Sequence, residues 1–212
     1  MKRKLWSREE LILAFNLYLK IPFGKIHSTN KDVIHLAQLI GRTPNSVALR
    51  LVNFASVDPV LKERGVKGMD GGKKIVQPIW DEFFNNQEEL IFLSEKILAE
   101  KENFTVEQKF EKLFFDIKEL KGEVKLREIK TRVNQNVFRQ MVISNYTGKC
   151  AISGIDIPEL LVASHIVPWS INEEERLNPE NGICFSALYD KAFDKGLIGI
   201  DEQYKILLSK NI

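Results

Sequence analysis

Four residues near the carboxyl end of the sequence have the types and the spacing for hydrolytic chemistry at a phosphate. Asn181 follows His165 by sixteen residues, Asp190 lies nine residues further on, and Asp194 comes one helical turn later. Histidine is the side chain best suited to accept a proton near neutral pH. Carboxylates are hard oxygen ligands for Mg²⁺ or Mn²⁺. The set predicts attack of an activated water on a phosphodiester, with His165 as the general base.

Short predicted elements position these residues. A strand over 160–166 presents His165, and a turn ending in Asn181 and Gly182 leads to a second strand over 183–185. Ser186 is expected to cap a helix that carries Asp190 and Asp194 on one face and ends at Gly196. Residues 197–200 and 205–208 predict a closing hairpin. Asn181 is expected to fix the imidazole through hydrogen bonds to the neighbouring strand.

Several sequence blocks in the right order make residues 138–201 resemble an HNH endonuclease, which has the ββα-metal fold. The resemblance is closest to the branch found in bacterial restriction-type endonucleases. The blocks are Phe138-Arg139, Cys150-Ala151-Ile152-Ser153-Gly154, Ser164-His165-Ile166-Val167-Pro168-Trp169, Asn178-Pro179-Glu180-Asn181-Gly182 and Ala192-Phe193-Asp194-Lys195-Gly196-Leu197.

The resemblance implies a role for each residue of the set. His165 would be the general base, Asn181 the middle residue of the motif, Asp190 the third, and Asp194 a further ligand of one divalent metal ion. Ser164 stands where many relatives have Asp or His as a ligand, and it completes the candidate metal set as a weaker donor. Asp190 replaces the His or Asn of relatives, which favours Mg²⁺ or Mn²⁺ over softer cations. The implied products carry 5′-phosphate and 3′-hydroxyl ends.

The net charge of +2 conceals alternating blocks along the chain. Residues 1–79 carry a net charge of +8, 80–120 of −6, 121–149 of +5 and 150–212 of −5. Basic segments ahead of an acidic segment that bears the motif suit a protein that grips phosphates with one region and holds a cation with another. Solvated helix faces are the alternative interpretation of these blocks.

Composition excludes several other classes of protein. The sequence contains no apolar run of the roughly 18 residues that a membrane span needs, and its basic start leads into an amphipathic segment, so no membrane association and a cytoplasmic location are expected. Cys150 and Cys184 are too few for a disulfide framework and form no Cys-x-x-Cys pair. Neither redox chemistry nor structural zinc is therefore expected.

The first basic block predicts three helices. Ser7 and Glu10 form a capping box that starts a helix running to about Lys20. Thr29 is expected to cap the second helix, and Thr43-Pro44 the third. This spacing predicts a helix-turn-helix or winged-helix-like domain, with a small helical bundle as the alternative.

The predicted DNA contacts follow from that arrangement. On the third helix, four polar residues are expected to face outward, with Arg50 as the preferred base reader. The glycine-rich stretch 65–74 is expected to be a flexible basic wing. The basic face of a later helix either touches DNA or pairs with the acidic block. The candidate residues are Asn45, Ser46, Arg50, Asn53, Lys67, Lys73, Lys74, Arg132 and Arg139.

The expected fold class is α+β. The expected domains are a helical DNA-binding domain over 1–85, a linker with two helices over 86–125, and a ββα-metal HNH domain over 126–212. The function predicted is that of a metal-dependent DNA endonuclease acting in restriction or defence on double-stranded DNA. Two alternatives stay open: a DNA-binding regulator that keeps a degenerate HNH scaffold, and an HNH endonuclease that depends on modified cytosine. Double-strand cutting by one active site would call for two protomers, so a homodimer is also considered.

Overall fold

The structure, a computed structural model, describes residues 5–66, 68–114 and 120–210 of the 212-residue chain. Helices with two small antiparallel sheets give an α+β fold, as predicted. The chain divides into two compact units, Met1–Val137 and Phe138–Ile212. Within the described residues, no helix has the length and apolarity needed to cross a membrane.

The first unit is helical in its described residues. Its helices are α1 (Arg8–Lys20), α2 (Lys31–Leu39), α3 (Pro44–Ala55), α4 (Pro59–Glu63), α5 (Lys73–Phe83), α6 (Gln87–Lys101), α7 (Val106–Lys109) and the amino-terminal half of α8 (Gly122–Asn145). The helices α2 and α3 are joined by a tight turn in which Gly41 has a φ of +64°, a conformation that favours glycine.

Local capping explains where several of these helices begin. The capping box of Ser7 and Glu10 is present, and the Thr43 hydroxyl accepts a hydrogen bond from the Ser46 amide ahead of Pro44. Both predictions are therefore confirmed. The prediction for α2 is wrong by one residue, because Asn30 caps it by accepting from the amides of Asp32 and Val33.

Helix α6 packs against α1 through a buried polar network as well as through apolar side chains. The Asn16 amide nitrogen donates to Ser94 (2.8 Å) and to Glu95 (3.2 Å), and Lys20 pairs with the same carboxylate. Lys109 from α7 adds a second ammonium group 3.5 Å from Glu95. Residues that the sequence assigned to a separate linker thus belong to the first unit. The division into three domains stays a prediction.

The second unit begins inside α8 and contains both sheets. Strands β1 (Leu161–His165) and β2 (Gly182–Ser186) pair antiparallel, with His165 opposite Gly182 and Ser164 opposite Ile183. Helix α9 (Ala187–Asp194) follows β2 directly. Strands β3 (Ile198–Ile200) and β4 (Ile206–Leu208) form the second sheet. The order β1, β2, α9 is the ββα order that the sequence resemblance implies.

Candidate active site

His165 ends β1 with its imidazole held on three sides. Its ring stacks on Phe138 of α8, with ring centroids 4.0 Å apart and an angle of 8° between the planes, and meets the edge of Trp169 at 5.5 Å. Its Nε2 lies 3.0 Å from the carbonyl oxygen of Arg176. A carbonyl can only accept, so Nε2 carries the proton in the neutral ring. Nδ1 has no hydrogen-bond partner within the described residues, which leaves it able to accept a proton.

Asn181 acts on the loop between β1 and β2. Its side-chain oxygen accepts from the amide of Val167 (2.7 Å), and its side-chain nitrogen donates to the carbonyls of Val167 and Glu175 (3.1 Å each). One buried carboxamide therefore ties the start of this loop to its end. The next residue after Glu175 is Arg176, whose carbonyl holds the imidazole. The sequence predicted hydrogen bonds to a strand, whereas the observed bonds reach the loop just beyond it.

Ser164 and Asp190 meet on α9's side of the sheet. The buried hydroxyl of Ser164 donates to Oδ1 of Asp190, which fixes the orientation of that carboxylate. Asp194 lies one turn further along α9 and is exposed. The structure thus brings two members of the predicted metal set into contact. The third, Asp194, lies on the same helix as Asp190 and has no described contact with Asp190 or Ser164.

The donor set bears on which metal ion would fit. Within the described residues, no group of three or more His, Cys, Asp or Glu side chains forms a cluster that could hold a metal. Such a cluster is what structural zinc needs. Magnesium ions, in contrast, are usually bound by one or two carboxylates together with waters and substrate phosphates. Asp190 and Asp194 are compatible with that second kind of site.

Cys150 has a structural role that the sequence did not indicate. Its sulfur accepts hydrogen bonds from the amides of Ser186 (3.1 Å) and Ser153 (3.4 Å), which link the turn before β1 to the end of β2. Burial alone would raise the pKa of the thiol. The hydrogen bonds from Ser153, Ile152 and Ser186 outweigh this and lower the pKa to about 7.

The expectation that Arg50 and Asn53 face outward is wrong. Both are buried in the first unit. The guanidinium of Arg50 lies over the Trp6 ring at 4.9 Å and donates to the side-chain oxygen of Asn53, while Asn53 donates to the carbonyl of Met69. Asn45 is exposed and Ser46 is partly exposed, as predicted. Residues from outside α3 cover the face that its own sequence marks as polar.

The predicted flexible wing is instead packed against α3. A Cβ added at Gly68 would lie 2.4 Å from the amide nitrogen of Ser56, and one at Gly72 would lie 2.0 Å from the side-chain oxygen of Asn53. These glycines therefore permit close packing. Lys73 and Lys74 begin α5 and are exposed. Lys67 lies outside the described residues.

The two arginines predicted on α8 bind protein groups. Arg132 donates to Glu128 (2.8 Å) and to the carbonyl of Leu113 (2.7 Å). Arg139 donates to the carbonyls of Leu161 (2.7 Å) and Pro158 (3.0 Å) at the start of β1. The described ion pair of Arg132 is with Glu128 of its own basic block, whereas the alternative supposed the acidic block, and Arg139 anchors α8 to the sheet.

In the second unit an antiparallel strand pair is followed by a helix, with a histidine at the end of the first strand. Residues 150–201, about a quarter of the chain, match the family model described as HNH endonuclease. The match confirms the resemblance predicted from sequence for this segment. Nucleases of this family act on DNA and generally use a divalent metal ion. No curated protein matches the chain.

Sequence reasoning missed two contributors to the site. Phe138 was placed on the apolar face of a helix and in the block Phe138-Arg139 that contributes to the resemblance, but no role beside His165 was predicted for it. Arg176 contributes a carbonyl, which has no side-chain signature. The Arg176 guanidinium is also fixed, because its Nε donates to the carbonyl of Trp169 at 2.8 Å.

Proposed function

We propose that this protein is a metal-dependent DNA endonuclease in which His165 is the general base. The main support for this proposal is the hydrogen bonding and packing of the His165 imidazole. Nε2–H is bound to the Arg176 carbonyl, the ring is held by Phe138 and Trp169, and Nδ1 is left as an acceptor. In a neutral imidazole that donates through Nε2, Nδ1 is the atom that can accept a proton, which is the state a general base requires.

The reaction follows from these groups. A water molecule attacks phosphorus while Nδ1 of His165 takes its proton, so that a new P–O bond forms as the bond to the 3′ oxygen breaks. Asp190 and Asp194 would hold the divalent ion, which would supply positive charge to stabilise the negative charge that develops on the phosphate. Asn181 keeps the Arg176 carbonyl in place through the loop, and Ser164 orients the Asp190 carboxylate.

A plasmid-nicking assay with Mg²⁺ or Mn²⁺, with and without chelator, tests this proposal. We expect cation-dependent nicking by the wild type and none by His165→Ala, with DNA binding retained. His35→Ala is the matched control, because His35 is an exposed histidine in the other unit. Plasmid with and without methylated cytosine tests dependence on base modification. Equal nicking by His165→Ala would remove the general-base assignment, and a wild type that binds without nicking would favour the DNA-binding regulator.

We further propose that the first unit binds double-stranded DNA, as a component of a restriction or defence enzyme. The support is the net charge of +8 over residues 1–79 and the exposure of Asn45 on α3 and of Lys73 and Lys74 at the start of α5. Removing both lysines should weaken binding and reduce the slope of log affinity against log salt by about 2, since each phosphate contact contributes about 1. Lys96→Ala, an exposed lysine on α6, is the control; an unchanged salt slope would contradict the proposal.

A further inference from the structure

The aromatic ring behind the candidate general base comes from outside the segment that matches the HNH family. Phe138 belongs to α8, twelve residues before the matched range begins at Cys150. It is 2% exposed, and its ring lies nearly parallel to the imidazole at a centroid distance of 4.0 Å. Contact this close and this flat makes the ring one wall of the space in which the imidazole sits.

Different contacts of His165 restrict different movements of its imidazole ring. The hydrogen bond from Nε2 to the Arg176 carbonyl anchors one atom, yet it leaves the ring free to tilt about that atom. The stacked Phe138 ring removes this freedom by defining the plane. Trp169 approaches at 88° to that plane and closes one edge. The bond from the ring to Cβ prevents rotation within that plane, so these constraints together determine the position of Nδ1.

Two further features fix Phe138 itself. Gly182 pairs with His165 across the strands, and a Cβ added there would lie 2.9 Å from Cζ of Phe138 and 2.3 Å from Cγ2 of Val142. The absence of a side chain at Gly182 therefore creates the slot that the phenyl ring occupies. The next residue, Arg139, binds the carbonyls of Leu161 and Pro158 and so anchors the same turn of α8 to β1.

We propose that Phe138 is a positioning residue of the active site, which sets the plane of the His165 imidazole and through it the location of Nδ1. This inference rests on the proposed function, because positioning matters only if Nδ1 takes a proton. A general base must reach its water within roughly 2.6–3.2 Å. A displacement of about 1 Å at such a group lowers a rate by as much as about a hundredfold.

The test compares Phe138→Leu with Phe185→Leu in the full-length chain. Both substitutions remove a buried phenyl ring from the second unit and keep an apolar side chain. Phe185 contacts Phe193, with centroids 5.5 Å apart, and serves as the matched control. We expect Phe138→Leu to lower the nicking rate at least about tenfold more than Phe185→Leu when the rates are compared at equal folded fraction. DNA affinity should be unchanged in both.

Histidine-selective NMR supplies a readout that a merely structural role would not move. The chain has three histidines, and His27 and His35 are exposed and serve as internal references. The ring current of Phe138 should shift the ring-proton signals of His165 upfield in the wild type and in Phe185→Leu. In Phe138→Leu this shift should disappear, and the ring signals should broaden or move.

Three results would overturn the inference: wild-type nicking by Phe138→Leu, His165 signals that are the same in Phe138→Leu and in the wild type, or equal losses of activity in the two variants. Failure of the proposed function has a different signature. If the wild type nicks no plasmid with any divalent cation while its His165 signals still depend on Phe138, the proposed nuclease activity is refuted. The contact between Phe138 and His165 would still be supported.

Discussion

Gly182 leaves room for the ring of Phe138, because a methyl group at residue 182 would lie 2.9 Å from that ring's Cζ. The two residues Asn181 and Gly182 of the motif thus have different physical roles. Asn181 holds the loop by its carboxamide, and Gly182 holds the helix close by having no side chain. Both act on the surroundings of His165.

Gly182→Ala should therefore destabilise the protein and impair catalysis. Overpacking costs about 1–3 kcal/mol, and relief of the clash has to displace Phe138 or Val142. Urea unfolding and the plasmid assay measure the two effects. Gly199→Ala is the control, because an added Cβ there meets its nearest neighbour, Leu207, at 3.9 Å. Equal stability of the two alanine variants would show that the slot is not tight.

Asn181→Ala should release the loop between the strands. The variant leaves the Val167 amide and two carbonyls without their partner, at a cost of about 1–3 kcal/mol for a buried group. Amide hydrogen exchange over 166–177 should rise and nicking should fall. Asn172→Ala removes an asparagine from the same loop whose side chain accepts only a local bond from the Glu174 amide. If that control loosens the loop as much, the clamp assigned to Asn181 is wrong.

Asp190→Ala should raise the concentration of Mg²⁺ or Mn²⁺ needed for half-maximal nicking and should lower the maximal rate, since one of the two proposed ligands is lost. Ser164→Ala, which removes the hydrogen bond to that carboxylate, should have a smaller effect of the same kind. A metal titration of each variant measures this, with the exposed Glu202→Gln as control. An Asp190→Ala titration that superimposes on that of the wild type would exclude ligation.

Glu95 should make the first unit sensitive to acid. Burial alone would raise the pKa of this carboxyl, but Lys20 and Lys109, with hydrogen bonds from Lys20 and Asn16, hold it below the ordinary value of 4.5. The folded state then binds its proton less readily than the unfolded state. The stability it contributes is therefore complete above 4.5 and is lost as pH falls through the lower, folded-state pKa.

Denaturant unfolding at a series of pH values from neutral to below 4.5 measures this dependence. Glu95→Gln should be less stable at neutral pH and should lose less stability on acidification. Glu100→Gln, an exposed glutamate on the same helix, should follow the wild type. If Glu95→Gln leaves the loss of stability on acidification unchanged, Glu95 is not the source of that acid sensitivity.

Sequence reasoning predicted well where the signal is local. The capping box at Ser7 and the Thr43-Pro44 start of α3 depend on residues three or four positions apart, and both are confirmed. The predicted strands also agree with β1 and β2 to within one residue at each end. These features are fixed by short-range hydrogen bonding and by side-chain alternation, which the sequence displays directly.

It failed where the environment is supplied by distant segments. Helical periodicity alone assigns Arg50 and Asn53 to a polar face, but Trp6 and the carbonyl of Met69 occupy that face. The stacking of Phe138 on His165 was not predicted for the same reason. A contact between residues 138 and 165 depends on how α8 packs against β1. Tertiary contacts decided these points, and no local pattern encodes them.

Helix α8 continues across the boundary between the two units, so the second unit begins twelve residues before the segment that matches the HNH family model. A chimera that transfers the site around His165 to another protein would have to include α8 from before Phe138. A graft beginning at Cys150 would carry His165, Asn181, Asp190 and Asp194 but would lack the Phe138 ring that stacks on the histidine. The fusion point of such a chimera would lie within a helix. The joined sequences would therefore have to form one continuous helix across it.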